Sequence, residues 1–317
     1  MLTIHKLISD RLHIPASQVQ ATLALLEAGC TIPFISRYRK EATGNLNEVQ
    51  ITAIDDLVTQ LDEVQKRKET ILKTIDAQGK LTDELQRRIT TSWDATEIED
   101  LYMPYKPRRR TRAQVAREQG LEPLATLLLL QREPHPEASA RRFINADVPD
   151  TAAALHGAQD IIAENISEDE RSRQTVRRTF SREAVISARV IEKMRHEDSA
   201  QKFADYFCFS EELRRCSSHR LLAMRRGEEE GILRVGITID DESCIERLQR
   251  QHVRGNGPCQ KLVSEAVDDA YKRLLRPSIE NEFAAQSKEK ADTEAIEVFK
   301  QNLRQLLLAA PLGPKRV

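Results

Sequence analysis

The chain has 317 residues and carries 49 Lys plus Arg against 50 Asp plus Glu, a formal net charge of −1. That length supports two or three compact modules, and the neutral total excludes a globally basic nucleic-acid binder, so any phosphate contact must come from local segregation of charge. Hydrophobic residues make up 40% and aromatics only 4%, which favours amphipathic helices over sheet and argues against a platform stacking many unpaired bases.

The five cysteines at positions 30, 208, 216, 244 and 259 are widely spaced and include no C-x-x-C pair, the pattern of free thiols in a reducing compartment. The amino terminus carries Asp10 and Arg11 within its apolar stretch, so it does not read as a signal peptide. No run approaches ~18 uninterrupted apolar residues. The expectation is a cytoplasmic protein without membrane contact.

Helix start and stop signals recur along the chain. Ser17 with Gln20 suggests a capping box, with Gly29 as the stop. Thr31 and Pro33 open a second short helix that ends near Gly44. Asn47 with Gln50 opens a long one, whose apolar positions Ile51, Ile54, Leu57, Val58, Leu61, Val64, Ile71 and Ile75 keep helical spacing as far as Gly79. Thr82 starts a helix running towards Trp93. Pro104 and Pro107 exclude a regular helix across Tyr102 to Arg110, which reads as an ordered, extended linker. Thr111 with Gln114 caps the next helix, and residues 132 to 139 form a loop.

Further helices are expected from Asp150, from Ser167 with Glu170 as a capping box, and from Ser218 to Gly227. Only at residues 231 to 240 does the period change to the alternation of a strand, through Leu233, Val235, Ile237 and Ile239. Its partner is either the preceding LLAMRRG or a segment elsewhere. A long helical run then extends from Cys259 to Ala310, kinked or restarted at Pro277. The prediction is a mainly α multi-helix assembly with at most a small β element near residues 231–240, organised as 1–103, 104–216 and 217–317.

Two basic constellations stand out. Lys106, Arg108, Arg109, Arg110, Arg112 and Arg117 lie in a stretch without a single acid, with Tyr102 and Tyr105 beside it. Arginine forks suit phosphate oxygens, and a helix starting at Thr111 adds free N–H groups. The alternative is internal pairing with acids such as Glu97, Glu99 and Asp100. The second is a helical projection: Arg171, Arg178, Arg182, Arg189 and Lys193 fall within roughly one 60° sector, opposite Val176, Phe180, Ala184, Ile191 and Met194. It is either a ligand-binding ridge or a solvated face, and it splits if Ser181 caps a new helix. Arg37-Tyr38-Arg39-Lys40-Glu41 follows an apolar Ile-Pro-Phe-Ile and reads as a core anchor with a charged rim.

Catalytic signals are absent from the sequence. The seven His residues are scattered without an H-x-x-x-H pair, and no phosphate-loop or dinucleotide glycine motif occurs. Asp240-Asp241-Glu242 and Asp268-Asp269 read as solvated acidic surface rather than metal ligands. No catalytic residue, metal or cofactor is expected, and the chain reads as a non-enzyme.

Two stretches carry a resemblance. They are Thr31-Ile-Pro-Phe-Ile-Ser-Arg-Tyr-Arg-Lys-Glu-Ala-Thr-Gly44 with Asn47-Glu-Val-Gln50, and Leu101-Tyr-Met-Pro-Tyr-Lys-Pro-Arg-Arg-Arg-Thr-Arg-Ala113 continuing to Ala116-Arg-Glu-Gln-Gly-Leu-Glu-Pro-Leu124. Both resemble signature stretches of the Tex family of bacterial transcription accessory proteins, as do Ser218 to Glu228 and Pro311 to Val317. The resemblance implies an N-terminal helical region with a helix-turn-helix element, preceding an RNase H-like domain, helix-hairpin-helix repeats and an OB-fold RNA-binding domain that lie beyond these residues. It implies nucleic acid, RNA or DNA, as a partner mainly through those further domains, with RNA polymerase or other transcription proteins as protein partners. For this chain two functions compete: a scaffold with auxiliary phosphate contacts, or a protein-interaction scaffold touching no nucleic acid.

Overall fold

The computed structural model describes residues 2–106 and 110–308, and sixteen α-helices account for most of them. The chain divides into two compact units, Met1–Pro107 and Arg108–Val317.

The first unit is built on one long helix. Before it come α1 (Leu2–Leu12), α2 (Ala16–Glu27), α3 (Ile32–Tyr38) and α4 (Lys40–Thr43); then α5 (Glu48–Ala77), α6 (Asp83–Thr91) and α7 (Ala95–Tyr102). The start of α5 is fixed by the expected capping box: Gln50 N–H donates to Asn47 Oδ1 at 2.9 Å while Asn47 N–H donates back to Gln50 Oε1 at 3.0 Å. Along α5, Ile51, Ile54 and Leu61 enter one apolar cluster with Ile8, Val19 and Ile35, and Ile71 and Ile75 enter a second with Ile89, Ile98 and Leu101. The helix at α2 starts without the expected Ser17 box, because Pro15 already sets the entry and no side chain caps it. Residues 103–105 form a single 3₁₀ turn rather than an extended linker, since Pro104 is compatible with the first turn of a helix.

The apolar anchor of α3 is narrower than the sequence suggests. Ile35 is fully buried, but Phe34 is 39% and Tyr38 71% exposed, because a seven-residue helix offers only one side to α5.

Lys68 is 2% exposed at the middle of α5. Its Nζ donates to the Thr90 carbonyl at 3.0 Å and sits 3.6 Å from the centroid of the Trp93 ring. The cation thereby meets a last-turn carbonyl of α6, at the negative end of its dipole, and an aromatic face. Burial pushes its pKa down.

The second unit holds α8 (Arg112–Glu118), α9 (Glu122–Leu130), α10 (Pro136–Ala140), α11 (Thr151–Glu168), α12 (Glu170–Glu183), β1 (Val185–Val190), β2 (Cys208–Glu212), α13 (Ser218–Glu229), β3 (Leu233–Thr238), α14 (Asp241–His252), α15 (Pro258–Asp269) and α16 (Arg276–Leu307). Helix α11 is its hub, packed by α8, α9, α10, α12 and α15. One apolar cluster extends from Ala113 to Ala291 and so crosses residue 216, where the sequence reading places a boundary.

The expected strand is β3, and its partner lies elsewhere in the chain rather than in LLAMRRG. The sheet order is β2-β1-β3, antiparallel throughout. The segment expected to continue the arginine helix is therefore β1. Four β-branched residues in seven (Val185, Ile186, Val190, Ile191) favour extended backbone, and Ile186, Ala188 and Val190 face the core opposite Ile237, Val235 and Leu233. Helix α12 runs unbroken through Ser181, and its cap is Asp169 rather than Ser167, whose hydroxyl donates to the Glu164 carbonyl of α11. The long terminal run restarts at Arg276, with Pro277 in the first turn of α16, after a π-helical stretch over Ala270–Leu275.

Replacing Lys68 with Ala is expected to cost about 2–3 kcal/mol, because it leaves a cavity, an uncapped carbonyl and a bare indole face. Lys68→Met, which keeps the volume, should cost about 1 kcal/mol. Denaturant melts of both variants check the difference.

Candidate nucleic-acid interface

Helix α12 begins on a half-buried cap, Asp169. Asp169 accepts from both the N–H and the hydroxyl of Ser172 at 2.8 Å, and His252 Nε2 lies 2.7 Å from the same hydroxyl. Asp, His and Ser together resemble a hydrolytic triad in composition only. The hydroxyl gives its proton to the cap carboxylate and is fully buried, which is the geometry of a helix start. Burial first, and then the nearby Arg171 cation, push the His252 pKa below its ordinary value against the opposing pull of Asp169.

The inner face of α12 sends Val176 and Phe180 into the core and ties Arg177 Nε to Glu282 at 2.8 Å. Arg171, Arg178 and Arg182 are exposed on the other side. At 100° per residue they occupy a sector of about 40° and span about 16 Å of the axis. Among the described residues none of the three has an ion-pair partner.

The remaining predicted cations are sorted by the fold. Arg189 lies on the outer face of β1, directly opposite Arg234 of β3, and both are exposed. Lys193 is exposed in a 3₁₀ turn over Glu192–Met194. The five-member ridge is thus a helical trio and a separate sheet-face group. Arg234 is invisible to a sequence reading because only the β1–β3 register brings it to Arg189. Like charges directly opposite on a sheet repel, so the pair favours an anion above it.

In the first basic stretch, Arg108 and Arg109 lie outside the described residues. Lys106 and Arg112 are exposed and without ion pairs among the described residues. Arg110 pairs with Glu118 at 2.7 Å on the surface. Arg117 is structural: it donates to Glu164 at 2.5 Å and to Asn165 at 3.0 Å, with the Glu164 side chain only 10% exposed. Of the upstream acids expected as partners, Glu99 pairs with Arg67 at 2.6 Å and Glu97 with Arg88 at 3.8 Å.

The same sorting accounts for the acidic runs. Asp240 caps α14, Asp241 accepts from Tyr271 at 2.6 Å and from Arg276 at 2.5 Å, Asp268 accepts from Gln249, and Asp269 pairs with Arg273. Among the described residues no three His, Cys, Asp or Glu gather where they could hold a metal ion. No helix among them is long and apolar enough to cross a membrane.

A helical module with a row of unpaired arginines is one a nucleic-acid-associated protein would use, and comparison with known proteins supplies the family. Residues 131–299 match the Tex central region-like family and residues 2–76 the Tex-like protein N-terminal domain. The chain belongs to the Tex family. It is 39% identical over 318 residues to the transcriptional accessory protein Tex of Neisseria gonorrhoeae, a match covering 98% of this chain and 42% of that protein. It is 41% identical over 318 residues to the protein tex of Bordetella pertussis, covering 95% of this chain and 40% of the relative. The S1 RNA-binding domain-containing protein 1 of Homo sapiens is 30% identical over 322 residues, covering 97% and 32%. The chain thus spans about two fifths of the length of its bacterial relatives.

Two outcomes test this sorting. Arg117→Ala should cost about 2 kcal/mol by removing its contacts to Glu164 and Asn165, less than a fully buried pair would lose because Arg117 is 26% exposed; Arg178→Ala should stay within about 0.5 kcal/mol. Thermal melts compare them. Because folded His252 prefers its neutral form, its contribution to stability is present above about pH 6.5 and declines as pH falls below it. Urea melts at stepped pH should show that decline, and His252→Gln should flatten it.

Proposed function

We propose that this chain is a non-catalytic helical scaffold within a nucleic-acid-binding transcription accessory protein, and that its own side chains reach the phosphate backbone. The row Arg171, Arg178 and Arg182 is the core of that surface, with Arg189, Arg234, Lys193 and Arg112 as auxiliary cations of the same unit; Lys106 belongs to the first unit and is a separate candidate. One contrast supports it. Arg117, Arg177, Arg247, Arg273 and Arg276 each hold a carboxylate, whereas the row on α12 has no ion pair among the described residues over three turns. Guanidinium groups without internal acids are available to phosphate oxygens. The names of the relatives, a transcriptional accessory protein and an S1 RNA-binding domain-containing protein, agree with this class. The helix-turn-helix role implied by the resemblance belongs to the same proposal.

A second reading is a docking scaffold for proteins, on the transcription machinery or on further domains of the same family. The end of α16 favours it: Ile296, Val298, Phe299, Leu306 and Leu307 are each more than half exposed, an apolar face of the kind that marks an interface.

A salt series of binding to duplex DNA or RNA separates the two. Binding should weaken steeply with salt, and the Arg171→Ala, Arg178→Ala, Arg182→Ala triple variant should reduce the log–log slope by about 2–3, since each phosphate neutralised contributes about 0.9. No binding by the wild type at about 50 mM salt would rule out the phosphate reading and leave the docking scaffold.

A further inference from the structure

The surface of α3 and α4 has a composition that the phosphate reading does not use. Phe34 and Tyr38 are 39% and 71% exposed, with ring centroids 5.4 Å apart and planes tilted by 41°. Among the described residues, Phe299 is the one other aromatic with comparable exposure. Arg39 lies 5.8 Å from the centroid of the Phe34 ring, a cation–π contact. Arg37 and Lys40 are exposed alongside, and among the described residues none of these three cations has an ion pair. Glu41 is the one acid in the five-residue segment.

The platform is anchored in the first unit's core. Ile35 is buried against α5 between the two rings in sequence. Thr43 is buried, and Gly44 closes α4 at φ +65 against the Gln18 side chain of α2. Leaving two aromatic rings in water forfeits burial energy, and bare cations around them exclude a dry apolar partner. Ring faces bordered by guanidinium and ammonium groups match unpaired bases carrying phosphates. In a duplex those base faces are already covered by their neighbours, so the match is to a single strand.

We infer that this surface is a stacking site for single-stranded nucleic acid. Bases lie on Tyr38 and Phe34, and the phosphates lie on Arg37, Arg39 and Lys40. The site belongs to the first unit and does not depend on the α12 row.

The test uses the whole chain, a short labelled oligouridine, and an abasic strand of equal length read by fluorescence anisotropy. The wild type should bind the base-bearing strand more tightly. Tyr38→Ala should weaken that binding by about ten- to a hundredfold while leaving the abasic strand unaffected, and Tyr38→Phe should restore it. Because Tyr38 is mostly exposed, the variants should melt with the wild type, which circular dichroism checks. The α12 triple variant should lower affinity for both strands and preserve their ratio, so the two sites fail separately. Equal binding of the two strands by the wild type, or an unchanged ratio in Tyr38→Ala, overturns the inference. Binding of neither strand at low salt also overturns it.

Discussion

Asp160 and Glu164, one turn apart on α11, carry two carboxylates into the middle of the second unit, and each is only 10% exposed at its side chain. A buried carboxylate without a partner would cost several kcal/mol. Arg273, from the π-helical stretch, answers Asp160 at 3.1 Å, and Arg117 from α8 answers Glu164. These two pairs tie the helices on either side of α11 to its polar stripe, while Ile161, Ile162 and Ile166 fill the apolar core around it. Much of what surrounds the hub follows from that requirement. It also decides which arginines remain available to anything outside the protein.

The near-zero net charge is therefore a poor guide to the surface. Acids and bases balance in total, but they balance pairwise only where helices meet. On the outer side of α12 and at the Arg189–Arg234 pair of the sheet, cations have no ion pair among the described residues. The first unit uses a buried cation differently. Among the described residues Lys68 pairs with no carboxylate; it is held by a carbonyl and an indole ring, so its charge organises the α5–α6 junction.

Local signals are the legible part of the sequence. Asn47 with Gln50, Thr82, Thr111 and Asp150 all cap helices as expected, because a cap is decided within four residues. What stays hidden is anything set by a distant partner. The β1 segment reads as helix because Arg189 and Lys193 keep a helical period with Arg171, and nothing nearby reveals that β3, more than forty residues later, supplies its hydrogen bonds. The sequence leaves Arg117 open between a phosphate contact and pairing with the acids just upstream, because the carboxylate it holds lies 47 residues away on α11. The exposure of Tyr38 is hidden for the same reason: an apolar neighbourhood in sequence does not say which side of a short helix meets α5.

Gln131 closes the second unit in a way that bears on how it forms. Ending α9 in the left-handed region at φ 54, it donates from Nε2 to the His252 carbonyl at 2.6 Å, accepts from Arg254 N–H at 2.8 Å through Oε1, and offers its own carbonyl to Gln260 at 3.0 Å. Three hydrogen bonds from one residue fasten the loop between α14 and α15 across more than 120 positions of chain. Closing a loop of that length costs about 4 kcal/mol in chain entropy before any contact rewards it. The helices between can form on local contacts, but this clasp belongs to the last, non-local step. During synthesis the second unit thus stays open until the residues around 260 have emerged, with α11 waiting for α15 and the π-helical stretch to cover it.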